Sequence, residues 1–365
     1  MGGFPSNSLE RAIGVRACVR RTSTQLAIIM AFLAILATGC QERPPASALQ
    51  TDLSSPIPGL THTPPTPRFT NGPPVPTGVD ATFTSEPYES FRIVFVSDQD
   101  GNDEIYIMNG DGTGRIRLTH DSAADLQPAL SWDGRRIAFA SDRPRGFETY
   151  GDTEYEIYVM MADGSHVERL TNNAQSDSSP RFDPDGNRIV FTSKRDGPAS
   201  ELYLMNVDGT GVVRLTNNGW PDLAPAFSPD GRLIVFTTIE GPSDGLWLMD
   251  SDGSNPRQLT ATSGFDGNAS FSPDGKSILF YSDTLNGGGI HLIPVEGGLP
   301  RLLTRDPSPD SIDPTFSPQG TRIIYTTRLE AFGITYALSA MDAQGSGSMQ
   351  LTDNSANAHM PATGP

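Results

Sequence analysis

The chain is poor in cysteine, poor in positive charge and without a long apolar segment. Of its 365 residues only Cys18 and Cys40 are cysteines, too few and too close to the N-terminus to staple a folded domain. Lys and Arg number 26 against 43 Asp and Glu, a formal net charge of −17. Such a surface repels phosphate backbones, which argues against nucleic acid as a partner. The apolar run Leu26–Ala37 falls short of the roughly 20 residues a membrane span needs. The one Gly-x-Ser-x-Gly, Gly241-Pro242-Ser243-Asp244-Gly245, leads into the strand-like Leu246–Met249 instead of a helix and so makes no nucleophile elbow, and His62, His120, His166, His291 and His359 show no metal-ligand spacing. The chemistry of serine hydrolases and of imidazole-based metal enzymes therefore has no visible foothold.

What is present divides the chain in three. Residues 1–40 carry Arg11, Arg16, Arg20 and Arg21, then the apolar run, then Leu36-Ala37-Thr38-Gly39-Cys40. Basic, apolar and small residues in that order read as an export signal. Its end resembles the bacterial lipobox, which implies cleavage before Cys40 and lipidation of the Cys40 thiol; the other reading is an ordinary signal peptide. Removing the signal takes four arginines and one glutamate with it and leaves a net charge near −20. Residues 41–88 are rich in Pro, Thr, Ser and Gly, with Pro64-Pro65-Thr66-Pro67 and Pro73-Pro74-Val75-Pro76. So few aliphatic residues cannot build a core, and the segment is expected to be an extended tether.

Residues 89–365 repeat. Leu-Thr pairs fall at 118–119, 170–171, 215–216, 259–260, 303–304 and 351–352, in steps of 44 to 52 residues. Within a repeat, Pro180-Arg181-Phe182-Asp183-Pro184 reads as a strand and Asp185-Gly186 as a tight turn. Ile189–Ser193 and Leu202–Met205 read as two further strands, Asp208-Gly209 as a second turn, and Val213–Thr216 as a fourth strand. Four short strands at this period predict a β-propeller blade, and six repeats predict an all-β, six-bladed propeller of four-stranded antiparallel blades. The first repeat lacks its own first strand. Pro361-Ala362-Thr363-Gly364-Pro365 matches Pro225-Ala226-Phe227-Ser228-Pro229 and is the expected donor; Asp80–Thr84 is the rival.

The blocks Ser97-Asp98-Gln99-Asp100-Gly101-Asn102-Asp103-Glu104-Ile105-Tyr106 and Ser228-Pro229-Asp230-Gly231, with the Arg-Leu-Thr endings, resemble the TolB-like propeller repeat. The resemblance implies a bacterial envelope setting. It does not carry the Tol role with it, because a Pro-rich stretch stands where TolB has an α/β domain.

Strand direction puts the connections from second to third strand, and from fourth to next first strand, on one face around the channel mouth. Asp125, Asp177, Asp222 and Asp266 recur there, with Asp310 or Asp313 near the next equivalent. Converging carboxylates suit a basic peptide or a hard cation such as Ca²⁺; alternatively each caps the backbone of its own turn. The longer connection from Arg143 to Glu154 holds Phe147, Tyr150 and Asp152, and the sixth repeat has Arg328-Leu329-Glu330-Ala331-Phe332. Insertions carrying aromatics are candidate recognition loops or partnerless excursions. The sequence thus reads as a lipid-anchored, monomeric binding or scaffolding module without a resident cofactor, meeting an envelope protein or peptide at this face. The competing reading is a glycan lyase or hydrolase using the same carboxylates.

Overall fold

The computed structural model describes residues 91–143, 154–241, 244–261, 264–283, 285, 288–304, 311–330, 334–353 and 355–364. The export segment, the tether and the rival donor Asp80–Thr84 lie outside them. Twenty-four strands form six four-stranded antiparallel sheets. Blade 2 shows the plan: β4 (Asp125–Leu130), β5 (Arg136–Ser141), β6 (Glu156–Met161) and the two-residue β7 (Glu168–Arg169) pair in sequence order. Blade 3 holds β8 (Asp177–Phe182) to β11 (Val213–Arg214), blade 4 holds β12 (Asp222–Phe227) to β15 (Arg257–Gln258). Blade 5 runs from β16 (Asp266–Phe271) to β19 (Arg301–Leu302) and blade 6 from β20 (Ser311–Phe316) to β23 (Met349–Gln350).

Blade 1 is closed by the C-terminal strand, as the repeat pattern predicts. β24 (Ala358–Gly364) pairs antiparallel with β1 (Arg92–Ser97), ahead of β2 (Glu104–Asn109) and β3 (Ile116–Arg117). The strands β24, β4, β8, β12, β16 and β20 each touch the next, so they form the inner ring around the channel. With β24 in place, blade 1 has the same four strands as the other five.

The Leu-Thr motif has a structural reason. The fourth strand contributes only two ladder residues, and the Thr beyond it takes over as a side-chain acceptor. Thr119, Thr171, Thr216, Thr260, Thr304 and Thr352 Oγ1 each accept the N–H of a third-strand residue, from Ile105 to Leu338, at 2.9–3.1 Å. The Leu N–H meanwhile donates to the same residue's carbonyl, as from Leu215 to Leu202 at 2.8 Å. The Asp-Gly turn answers this motif in the next blade. A Cβ on Gly209 (φ +80°) would fall 2.6 Å from the Leu170 carbonyl oxygen, and one on Gly112 would fall 2.6 Å from that of Leu351. Glycine is needed there both for its positive φ and for the close approach between blades.

The core lies between blades. One cluster joins Val190, Leu202 and Leu215 of blade 3 to Phe227, Ile234, Phe236 and Met249 of blade 4. Another joins Phe91, Ile93, Phe95 and Tyr106 of blade 1 to Ile324, Leu338 and Ala340 of blade 6, with Ala358 of the closing strand. Because each blade buries both faces, its strands are apolar at both parities. The sixth repeat departs from the expected insertion. Residues 328–330 continue a nine-residue strand, β21 (Arg322–Glu330), which pairs with the equally long β22 (Ile334–Asp342). Arg328, Leu329 and Glu330 thus lengthen a strand pair; Ala331 and Phe332 lie outside the described residues.

Candidate functional site

Each inner strand begins at the channel-mouth face, and the recurrent aspartates are its first residues. Asp125, Asp177, Asp222 and Asp266 are at most 1 % exposed. The structure brings them to one level but seats each carboxylate inside its own blade. Asp125 Oδ2 accepts from Arg143 Nη2 at 2.8 Å, and Asp177 Oδ2 accepts from Arg195 Nη2 at 2.7 Å and Asn173 Nδ2 at 2.7 Å. Asp222 accepts from Thr238 Oγ1 at 2.6 Å and Asn218 Nδ2 at 2.8 Å. Neither oxygen of Asp266 has a hydrogen-bond partner among the described residues. The backbone caps expected of these residues fall to others: Asp98, Asp142 and Asp283 Oδ1 accept the N–H of Asn357, Ala124 and Phe265 at 2.7–2.8 Å. Ser311 occupies the fifth equivalent place, with Asp313 two residues deeper. Asp310 lies outside the described residues.

Burial dominates the ionisation of these groups. It pushes Asp125 up to about 7 against the pull of Arg143, and Asp222 up to about 7 against hydrogen bonds from Thr238, Thr216 and Asn218. Asp177 is raised by the same cause, opposed by Arg195.

Arg143 is a structural clamp. Its guanidinium bridges Asp125 and Asp121 (2.6 Å) and lies 5.2 and 5.1 Å from the ring centroids of Phe139 and Tyr158. Arg195 repeats this between Phe191 and Tyr203, at 5.0 Å from each. Beside them run three more pairs, Arg117–Glu104 (2.6 Å), Arg169–Glu156 (2.9 Å) and Arg214–Glu201 (2.9 Å). The mouth end of blades 1–3 is thus crossed by charge-assisted bonds among the described residues. Phe147, Tyr150 and Asp152 lie outside the described residues. Among those residues no group of three or more His, Cys, Asp or Glu could hold a metal ion.

Trp220, in the connection from β11 to β12, is an exposed aromatic on this face (39 %). Its backbone N–H donates to Asn218 Oδ1 at 2.8 Å, and its indole packs where Gly241 leaves room. Other repeats carry Ala123, Gln175 and Gly264 at that place, so a lone large aromatic was the signal available. A polar pocket of about 300 Å³ lies on the same face between blades 6 and 1, lined by Asp98, Gln99, Thr335, Ser355, Ala356 and Asn357.

The inner strands also share a bulge. Gln127, Ser179, Ala224, Asn268, Asp313 and Met360, the third residue of each, have φ between +50° and +55°. The ladder to the second strand slips at the same point in every blade. Proline follows in five of the six, where a missing N–H costs no ladder bond. Third and fifth positions are the ones that solvent reaches on most of these strands. On a strand enclosed by neighbouring blades, that solvent is the channel.

A closed ring of six four-stranded antiparallel blades, the first completed by the C-terminal strand, defines a β-propeller. The TolB beta propeller domain profile matches residues 145–223 and 221–365, and the chain belongs to that family. A TolB homologue of Chlorobium luteolum is 31% identical over 140 residues, covering 29% of this chain and 32% of the relative. The Tol-Pal system protein TolB of Desulfosudis oleivorans is 42% identical over 69 residues, 19% of this chain and 16% of the relative. The chain thus spans about a third or less of these relatives' length. The crystal structure of TolB from Acinetobacter baumannii superposes with a TM-score of 0.65 at 26% identity, covering 76% of this chain and 68% of the other.

Proposed function

We propose that the protein is an extracytoplasmic docking module of the bacterial envelope, tethered by lipid on Cys40, whose mouth face binds a protein partner. The observation that carries this is the pinned mouth face on a TolB-family ring. Arg143 and Arg195 hold loop positions before a partner arrives, which lowers the ordering cost of binding. Trp220 supplies the kind of exposed aromatic that anchors interfaces. Relatives named for the Tol-Pal system support an envelope partner. The Arg143–Glu154 segment, with Phe147, Tyr150 and Asp152, belongs to the same proposed surface. The buried aspartates Asp125, Asp177, Asp222 and Asp266 act in this reading as posts that hold the surface, and calcium is carried only as an arm of the test.

The test is in-cell crosslinking of the tagged chain followed by fractionation, comparing wild type with Trp220→Ala and Cys40→Ser, with and without calcium chelation. Wild type should stay with membranes and trap a partner that Trp220→Ala loses by about tenfold, a hot-spot effect. Cys40→Ser should move the chain to the soluble fraction. Equal trapping by both folded proteins, or an unchanged membrane fraction for Cys40→Ser, would each remove the corresponding half of the reading.

A further inference from the structure

Inside the ring, below the mouth, stand two opposite charges at successive levels that the docking face does not use. Arg181 is the fifth residue of the inner strand of blade 3 and Asp313 the third residue of the inner strand of blade 6. In a ring of six, blades 3 and 6 are diametrically opposed. Ala129 and Ala226 flank Arg181 from blades 2 and 4 at the same depth, so no large side chain fills the space beside it. The Arg181 guanidinium makes a single hydrogen bond among the described residues, from Nη1 to the Pro180 carbonyl at 2.9 Å. Its other N–H groups are therefore available as a fork for a carboxylate. Across the channel Asp313 is held by Asn268, whose Nδ2 donates to Oδ1 at 2.5 Å, and by Thr326, whose Oγ1 donates to Oδ2 at 3.4 Å. Burial lowers the proton affinity of Arg181, with Asp313 opposing; burial raises that of Asp313, opposed first by the nearby His359, then by Thr326, Arg181 and the Met360 N–H.

We infer that the channel binds a small zwitterion of the α-amino-acid class, its carboxylate on Arg181 and its ammonium on Asp313. Charge balance selects this class. The channel pair is neutral as it stands, and a neutral guest with separated charges keeps every buried charge paired. A bare anion would add negative charge to a chain already at −17, and a bare cation would face the unused guanidinium; both leave a buried charge uncompensated. The site lies within the ring and stands independently of the docking face.

The test is calorimetric titration of the purified full-length chain with glycine, acetate and methylammonium at one ionic strength. Glycine should bind saturably and about tenfold or more tightly than either half-ligand, since each end adds a charge-assisted bond. Arg181→Gln should lose glycine binding, and Asp313→Asn should lose the preference for glycine over acetate. If Arg181→Gln does not fold by thermal melt, Arg181→Lys serves: it keeps the charge but not the fork and should still weaken glycine severalfold. The inference is overturned by no saturable glycine binding to wild type, by equal binding of acetate and glycine, or by a folded Arg181 variant that binds as wild type does.

Discussion

Blades 1–3 and blades 4–6 share one backbone plan and differ in how they fill the mouth end of the blade. In the first half a glutamate opens the third strand and an arginine sits on the fourth: Glu104 with Arg117, Glu156 with Arg169, Glu201 with Arg214. In the second half the glutamate's place is taken by Gly245, Gly289 and Ala337, and the arginine's by Gln258, Leu302 and Gln350. The glycines are not empty substitutions. Gly289 has φ +124°, and a Cβ there would sit 2.3 Å from Thr304 Oγ1; at Gly245 one would sit 2.5 Å from the Thr260 carbonyl oxygen. The second half has closed over the space that the first half uses for an ion pair. Blade 5 carries the consequence, with Asp266 buried and unbonded and with His291 Nε2 also lacking a partner among the described residues. A repeat can therefore keep its hydrophobic and turn code while its polar network is rewritten, because the two occupy different ends of the strands.

The largest expected effect comes from cutting the junction at which the two halves meet through the closing strand. Truncation before Ala358 removes β24 and opens the core shared by blades 6 and 1. Circular dichroism melting should then show loss of the cooperative transition or a melt lowered far beyond that of any point variant here. An unchanged melt would mean that the ring does not depend on its clasp.

Next comes a matched pair. Glu201→Ala strips partners from Arg214, Thr216 and the Gly219 N–H and should cost about 2–3 kcal/mol in denaturant unfolding. Asp266→Asn, in the half without the network, should cost nothing or gain about 1 kcal/mol, because it neutralises a buried carboxylate that has no hydrogen-bond partner among the described residues. Equal losses in both would erase the distinction between the halves.

The smallest effect is a pH slope. Asp222 titrates near 7 when folded because burial disfavours its charge, and near 4 when unfolded. Between those values the folded chain binds more protons than the unfolded one, so this residue's contribution to stability falls as pH rises from about 4 to 7 and stays low above it. Asp222→Asn should flatten the dependence of melting temperature on pH between 5 and 8. A slope identical to wild type would assign the titration to other groups.

The architecture was legible because a blade is a local object. Its turns, its alternation and its Leu-Thr ending sit within 45 residues or so, and six copies leave one ring as the way to bury every face. The closing strand was legible for the same reason, since Pro361-Ala362-Thr363-Gly364 repeats the code of an inner strand. The mouth aspartates were legible as a recurrence but not as to direction: position 125 or 177 does not say whether a carboxylate points to solvent or back to Arg143 or Arg195. That arginine does recur, eighteen residues after the aspartate in blades 2 and 3, and is replaced by Glu240 and Thr284 in blades 4 and 5. Trp220 could have been noticed by comparing repeats column by column.

Sequence alone determined the fold class, the number of blades, the clasp and the acidic, cysteine-poor character of the chain, because all of these follow from short-range patterns and composition. Tertiary structure alone decided which charges are spent and which are free. It turned Asp125, Asp177 and Asp222 inward onto neighbouring side chains, and it set Arg181 across the channel from Asp313, 132 residues later in the chain. Such pairings depend on how six repeats close into a ring, and no window of sequence shorter than the ring contains them.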